Sequence, residues 1–119
     1  LDYLLIDMPP GTGDAYLTIL DSLDIEKILL IAVEDEFCIS NLHKTCSLLS
    51  KLQKHPLGII ENLSESFSEP CSPVKSERIK KEFTDEILFV LPRLSRKDFY
   101  QEVLNLDKLR KYIPENFLK

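Results

Sequence analysis

The chain has 119 residues, 44% hydrophobic and 29% charged, with a formal net charge of −5 and a pI near 5.0. That acidic balance argues against wholesale nucleic-acid binding, which needs a concentrated basic surface, and no apolar run approaches the roughly 20 residues that cross a bilayer. Length and composition predict one soluble domain, or part of one.

The first predicted element is a strand over Leu4, Leu5 and Ile6, a continuous apolar run of the kind found in parallel strands covered on both faces. Asp7 follows where such a strand emerges at its carboxyl end, and ligands bind at those ends. The loop Met8-Pro9-Pro10-Gly11-Thr12-Gly13-Asp14 has prolines to stiffen it and glycines that let backbone amides approach a phosphate. Ala15 to Leu23 reads as a short helix with Leu17, Leu20 and Leu23 near one face and Asp14 as its cap. Ile28 to Val33 is the second predicted strand, apolar throughout and so expected to be buried on both faces.

Leu42, Cys46 and Leu49 recur at helical spacing and predict a helix over 40–54, ended by Pro56. Leu57 to Asn62 is the third strand. Glu65 to Lys75, rich in serine and proline, reads as a loop, followed by a basic helix from Ser76 to Phe83. Ile87 to Leu91 is the fourth strand, stopped by Pro92, and helices are expected over Arg96–Leu104 and Leu106–Tyr112. Strands alternating with helices predict an α/β fold, a parallel sheet with flanking helices. Three cysteines without tight pairing fit a reducing cytoplasm better than a disulfide framework. Leu1 in place of Met suggests a fragment or a processed chain, and Leu1 to Ile6, broken at once by Asp7 and two prolines, lacks the form of a signal peptide.

Asp7-Met8-Pro9-Pro10-Gly11-Thr12-Gly13-Asp14 resembles the D-x-P-P-G-T-G-D signature of the Mrp/ApbC (Nbp-type) group of P-loop ATPases, iron-sulfur cluster carriers related to MinD and ParA. The resemblance continues in Asp14-Ala15-Tyr16-Leu17-Thr18, similar to D-x-x-L-T, and in Gly58-Ile59-Ile60-Glu61-Asn62-Leu63-Ser64, similar to G-[VI]-[VI]-E-N-M-S. It implies a partial MinD-like, Rossmann-like P-loop NTPase fold in which residues 1–119 form the carboxyl-terminal part. No G-x-x-x-x-G-K-[ST] phosphate loop occurs in the chain.

The resemblance also implies roles. Asp7 corresponds to the Walker B acid that holds the magnesium of ATP through a water, and Mg2+, which keeps several waters, needs little more than one carboxylate. An isolated strand-end aspartate would more often cap a turn. Gly11, Thr12, Gly13 and Asp14 correspond to the switch segment that senses the γ-phosphate, with Pro10 beside them in the nucleotide-binding set and Asp14 joining Asp7 as a candidate catalytic residue. Asn62 corresponds to the asparagine that pairs with the adenine edge, for which its donor and acceptor are suited, and Pro92 and Arg93 lie where relatives pack against the base.

Metal-carrying relatives place a C-P-x-C pair after E-N-M-S, and two subunits share one cluster. Here the loop reads Pro70-Cys71-Ser72-Pro73-Val74, with Val74 where the second cysteine would stand. Cys71 is thus the candidate iron-sulfur ligand, but one thiolate per subunit supplies only half of the four that a [4Fe-4S] cluster takes. Cys46 reads as a small core residue, and His43 and His55 as surface residues.

The implied partners are an amino-terminal Walker A half on the same or a separate chain, a second copy in a homodimer or higher assembly, and iron-sulfur client proteins. Membrane and nucleic acid are not expected. Ala32-Val33-Glu34-Asp35 replaces the T-T-P-Q usual at the dimer face. The expected function is the nucleotide-binding and switch half of an Mrp-like ATPase in iron-sulfur cluster assembly or transfer, hydrolysing ATP only when complemented by the Walker A half. Two other readings stay open: a MinD/ParA-type positioning ATPase, and a degenerate, non-catalytic interaction module.

Overall fold

A computed structural model describes residues 4–9, 11, 13–65, 67–68, 72–73, 77–83, 87–95 and 98. In chain order the elements are α1 (Asp14–Ser22), β1 (Leu29–Ala32), α2 (Glu36–Lys51), β2 (Gly58–Ser64), β3 (Phe67–Ser68), β4 (Ser72–Pro73), α3 (Glu77–Phe83) and β5 (Ile87–Pro92). Strands β1, β2 and β5 form a three-stranded sheet in that order, parallel at both pairings, with α2 and α3 as the crossovers. This is the expected α/β architecture, consistent with part of a P-loop NTPase fold.

The register explains the core. Leu30 pairs with Ile59 and Ile59 with Ile87, while Ala32 pairs with Glu61 and Glu61 with Val90. Paired residues share a face of the pleat. The apolar members of these rows pack with Tyr16 and Leu20 of α1, Ile39, Leu42 and Leu49 of α2, and Ile79 and Phe83 of α3 in one cluster. Burial raises the pKa of the Tyr16 hydroxyl above its ordinary value, and the neighbouring Cys46 acts in the same direction. His43 joins α2 to α3 by stacking on Phe83 with ring centroids 4.5 Å apart and by contacting the Glu82 carboxylate.

Several expectations are corrected. Leu4 to Ile6 belong to neither sheet and are exposed, Leu5 at 92%, because no described strand lies beside them to pair with their backbone. β1 is not covered on both faces: Leu30 and Ala32 are buried, whereas Leu29 and Ile31 face outward on the sheet's edge strand. In α1 the buried pair is Tyr16 and Leu20, one helical turn apart, with Leu17 only half-buried and Leu23 exposed. Its cap is Gly13 in an extended conformation, not Asp14, which is the first-turn acid.

Helix α2 begins four residues before the expected start. Asp35 caps it, its Oδ1 accepting from the backbone N–H of Phe37 at 2.9 Å and of Cys38 at 3.1 Å. It ends at Lys51, followed by Gln53 in the left-handed region at φ 56°. Replacing Asp35 with Ala is expected to lower stability by about 0.5–2 kcal/mol, read as a shift of the urea midpoint at constant slope.

The segment expected to be a loop contains the antiparallel β3–β4 ribbon, in which Phe67 pairs with Pro73 and Ser68 with Ser72. Pro92 does not stop the last strand but is its final, buried residue, paired with Ser64. A sheet edge tolerates proline there because it has no donor to lose. The two terminal helices lie outside the described residues except at Asp98, whose backbone N–H donates to Ser95 Oγ at 3.1 Å.

Candidate functional site

The carboxyl ends of parallel strands form the face where α/β sheets take ligands. Two candidate positions meet there because β2 and β5 are neighbours: Asn62 near the end of β2, and Pro92 and Arg93 at the end of β5. The parallel ladder reaches past the strand, since Arg93 N–H donates to the Ser64 carbonyl at 2.9 Å. Arg93 Nη1 also meets Glu65 Oε1 at 3.1 Å, an exposed ion pair that links the two loops.

Asn62 is half-buried, and its side-chain oxygen accepts from the Leu63 backbone N–H at 2.9 Å. Leu63 is in the left-handed region, at φ 56°, and the β2–β5 register shifts between Glu61 and Ser64. The end of β2 is therefore bulged, a device that re-aims a side chain beside a site. Glu61, one residue earlier, is fully buried at 0% exposure within the sheet. Glu61 stands in the G-I-I-E-N-L-S motif and Glu65 at the start of the expected loop, but the sequence assigned a role to neither. A lone glutamate inside an apolar strand was the available signal for the first, and nothing local signals the second.

Asp7 and Met8, at the start of the acidic segment, border a cleft whose opposite flank includes Leu29 to Ile31 of β1. Asp7 is exposed, Gly11 has φ +90°, and a Cβ added at Gly11 or Gly13 would meet nothing within 4 Å. This open, glycine-permitted backbone fits the close approach of a phosphate, and an exposed carboxylate fits a water-mediated hold on magnesium. Asp14 is exposed in the first turn of α1, and its carbonyl accepts from Thr18 Oγ1 at 2.8 Å. Pro10, Thr12 and Cys71 lie outside the described residues.

Between residues 4–8 and the edge of β1 is a cleft of about 510 Å³, bordered by Leu4 to Met8 on one flank and Lys27 to Ile31 on the other. Its lining is predominantly apolar, with Tyr16 and Leu20 contributing from α1. Among the described residues no three His, Cys, Asp or Glu side chains are grouped to hold a metal ion. No helix among them is long and apolar enough to cross a membrane.

A family model described as ParA, the NUBPL iron-transfer P-loop NTPase, matches residues 1–88. The chain belongs to this family. An iron-sulfur cluster carrier protein of Methanocaldococcus jannaschii is 36% identical over 100 residues, which are 77% of this chain and 34% of the relative. The iron-sulfur cluster transfer protein NUBPL of Mus musculus is 33% identical over 64 residues, 54% of this chain and 20% of the relative. A carrier protein of Haemophilus influenzae is 28% identical over 99 residues, 77% of this chain and 27% of the relative. The chain thus spans between a fifth and about a third of the length of these relatives. These relatives, carrier and transfer proteins by name, support the resemblance read from the acidic loop and the G-I-I-E-N-L-S strand.

Proposed function

We propose that this chain forms the switch and base-side part of the ATP site of an iron-sulfur cluster carrier ATPase, working in the cytoplasm. The observation that carries the reading is the apolar cleft between residues 4–8 and the edge of β1. Asn62, Pro92 and Arg93 lie at adjoining strand ends, while Asp7 borders the cleft at the open edge of β1. A further strand, supplied with the Walker A loop by polypeptide outside these residues, would pair with that edge and bring phosphate-binding groups between the two sets.

In this reading Asn62 addresses the adenine, and Pro92 with Arg93 walls the base. Gly11 to Asp14 sense the γ-phosphate, and Asp7 holds magnesium through a water. Magnesium supplies neutralisation of phosphate charge. ATP is the substrate, and a homodimer and iron-sulfur client proteins are the partners. Cys71 alone supplies one thiolate per copy, so a [4Fe-4S] cluster would take its remaining ligands from elsewhere.

The test is complementation. This chain and a Walker A segment, each inactive alone, are expected to hydrolyse ATP when joined or co-expressed, measured as phosphate release. Absence of both turnover and ATP binding in the assembled pair would overturn the reading and favour a non-catalytic interaction module.

A further inference from the structure

The cleft beside β1 has apolar flanks on both sides, and both belong to this chain. We propose that residues 4–7 act as a strap that closes onto the outer edge of β1, taking the place of the further strand and holding the ATP site shut until that strand displaces it. The inhibitory role rests on the reading that a further strand pairs with this edge.

Leu4, Leu5 and Ile6 are an apolar run of the kind that suits a strand, yet all three are exposed, Leu5 at 92%. Across the cleft, Leu29 and Ile31 are exposed on the outer strand of the sheet. Alternate backbone groups of β1 point to that outer side, where no strand among the described residues pairs with them. Such an edge is a template for another strand, and residues 4–8 are the segment that borders it.

The connection favours closure. Residues 4–7, α1 and β1 follow one another as strand-forming segment, helix and strand, a unit that sets its two strands parallel and side by side through a right-handed crossover. The helix is already in place for it, since Tyr16 and Leu20 are buried in the same cluster as Leu30 and Ala32. Closure moves the segment by one strand spacing, about 4.8 Å. The connection over residues 8–13 can span about 20 Å when extended, so it absorbs that shift while α1 stays where it is.

The facing side chains follow from the pleat. Met8 packs against the core cluster, and residues two apart in an extended segment share a face. Leu4 and Ile6 thus take the core side with Met8, and Leu5 takes the side to which Leu29 and Ile31 point. Closure sets Leu5 beside Leu29 and draws Asp7 against β1, into the space that phosphate-binding groups require.

Hydrogen exchange of the isolated chain, without nucleotide or a second segment, tests closure. Leu5→Asp costs nothing while the side chain is exposed, but beside Leu29 it sets a carboxylate against an apolar group. The β1 amides that point to the outer edge are expected to exchange about tenfold faster in Leu5→Asp than in the parent, while those bonded to β2 stay protected in both. Leu5→Val, apolar and suited to a strand, is expected to keep the parent's edge protection within about twofold. Equal edge exchange in parent and Leu5→Asp would overturn the inference, as would protection that rises with protein concentration, the mark of a second copy on the edge. The inhibitory role is read by stopped flow: only the open form admits the Walker A segment, so its association rate should rise about tenfold in Leu5→Asp. A rate no faster, despite lost edge protection, would overturn that role. Failure of parent and variant alike to associate would remove the strand-insertion reading and the inhibitory role with it, whereas edge protection lost in Leu5→Asp would still establish closure.

Discussion

Asparagine in place of Asp7 is expected to cut ATP turnover of the assembled ATPase by about a hundredfold or more, equivalent to losing several kcal/mol of stabilisation at the phosphates. The substitution preserves the size of the side chain and one oxygen but removes the negative charge. Magnesium takes hard oxygen ligands and retains its waters, so the charge of the carboxylate is what a water-mediated contact uses. Because Asp7 is exposed and outside both sheets, the change removes no core contact, and the fold should keep its denaturation midpoint. A second readout separates magnesium from chemistry: ATP affinity should fall in magnesium and stay equal to that of the parent in EDTA. Unchanged turnover would take Asp7 out of the site.

The sheet was legible because apolar runs over Leu29–Ala32, Gly58–Ile60 and Ile87–Val90 leave few alternatives to parallel strands. The same signal misled at Leu4–Ile6. Apolarity measures whether a segment suits a covered strand, and whether it becomes one depends on a neighbour able to take its backbone hydrogen bonds. Helix α2 was placed by periodicity alone, which is silent about its first turn, and the structure starts it at the Asp35 cap instead.

The candidate site reads in the sequence as motifs and not as an arrangement. Asn62 and Arg93 are far apart in sequence, and only the β1-β2-β5 order makes their strand ends adjacent. The left-handed Leu63 has no sequence signal, since leucine is not a residue that favours positive φ. The Glu65–Arg93 pair is likewise a product of topology, and as an exposed pair it adds at most about 1 kcal/mol. Its effect is on geometry more than on stability.

The second large effect is expected at the open edge of β1. Ile31 is 64% exposed on the one strand of the sheet whose outer edge borders the apolar cleft. An exposed apolar edge is an aggregation hazard unless something pairs with it, and burying an isoleucine side chain contributes about 1.5–3 kcal/mol. Ile31→Glu should barely alter the chain's own stability, because the side chain already faces outward. On insertion of a further strand, however, the introduced carboxylate would be desolvated in the cleft lined by Leu4, Leu5 and Ile6, at a cost of several kcal/mol. Affinity for the Walker A segment should therefore fall by about a hundredfold or more, measured by titration calorimetry, with the urea midpoint of the isolated chain as the control for folding. A lysine placed on the inserted strand, opposite the substituted position, should recover part of that loss. Equal affinity in parent and variant would mean that the second segment does not enter beside β1, and the division of the ATP site across this edge would fall with it.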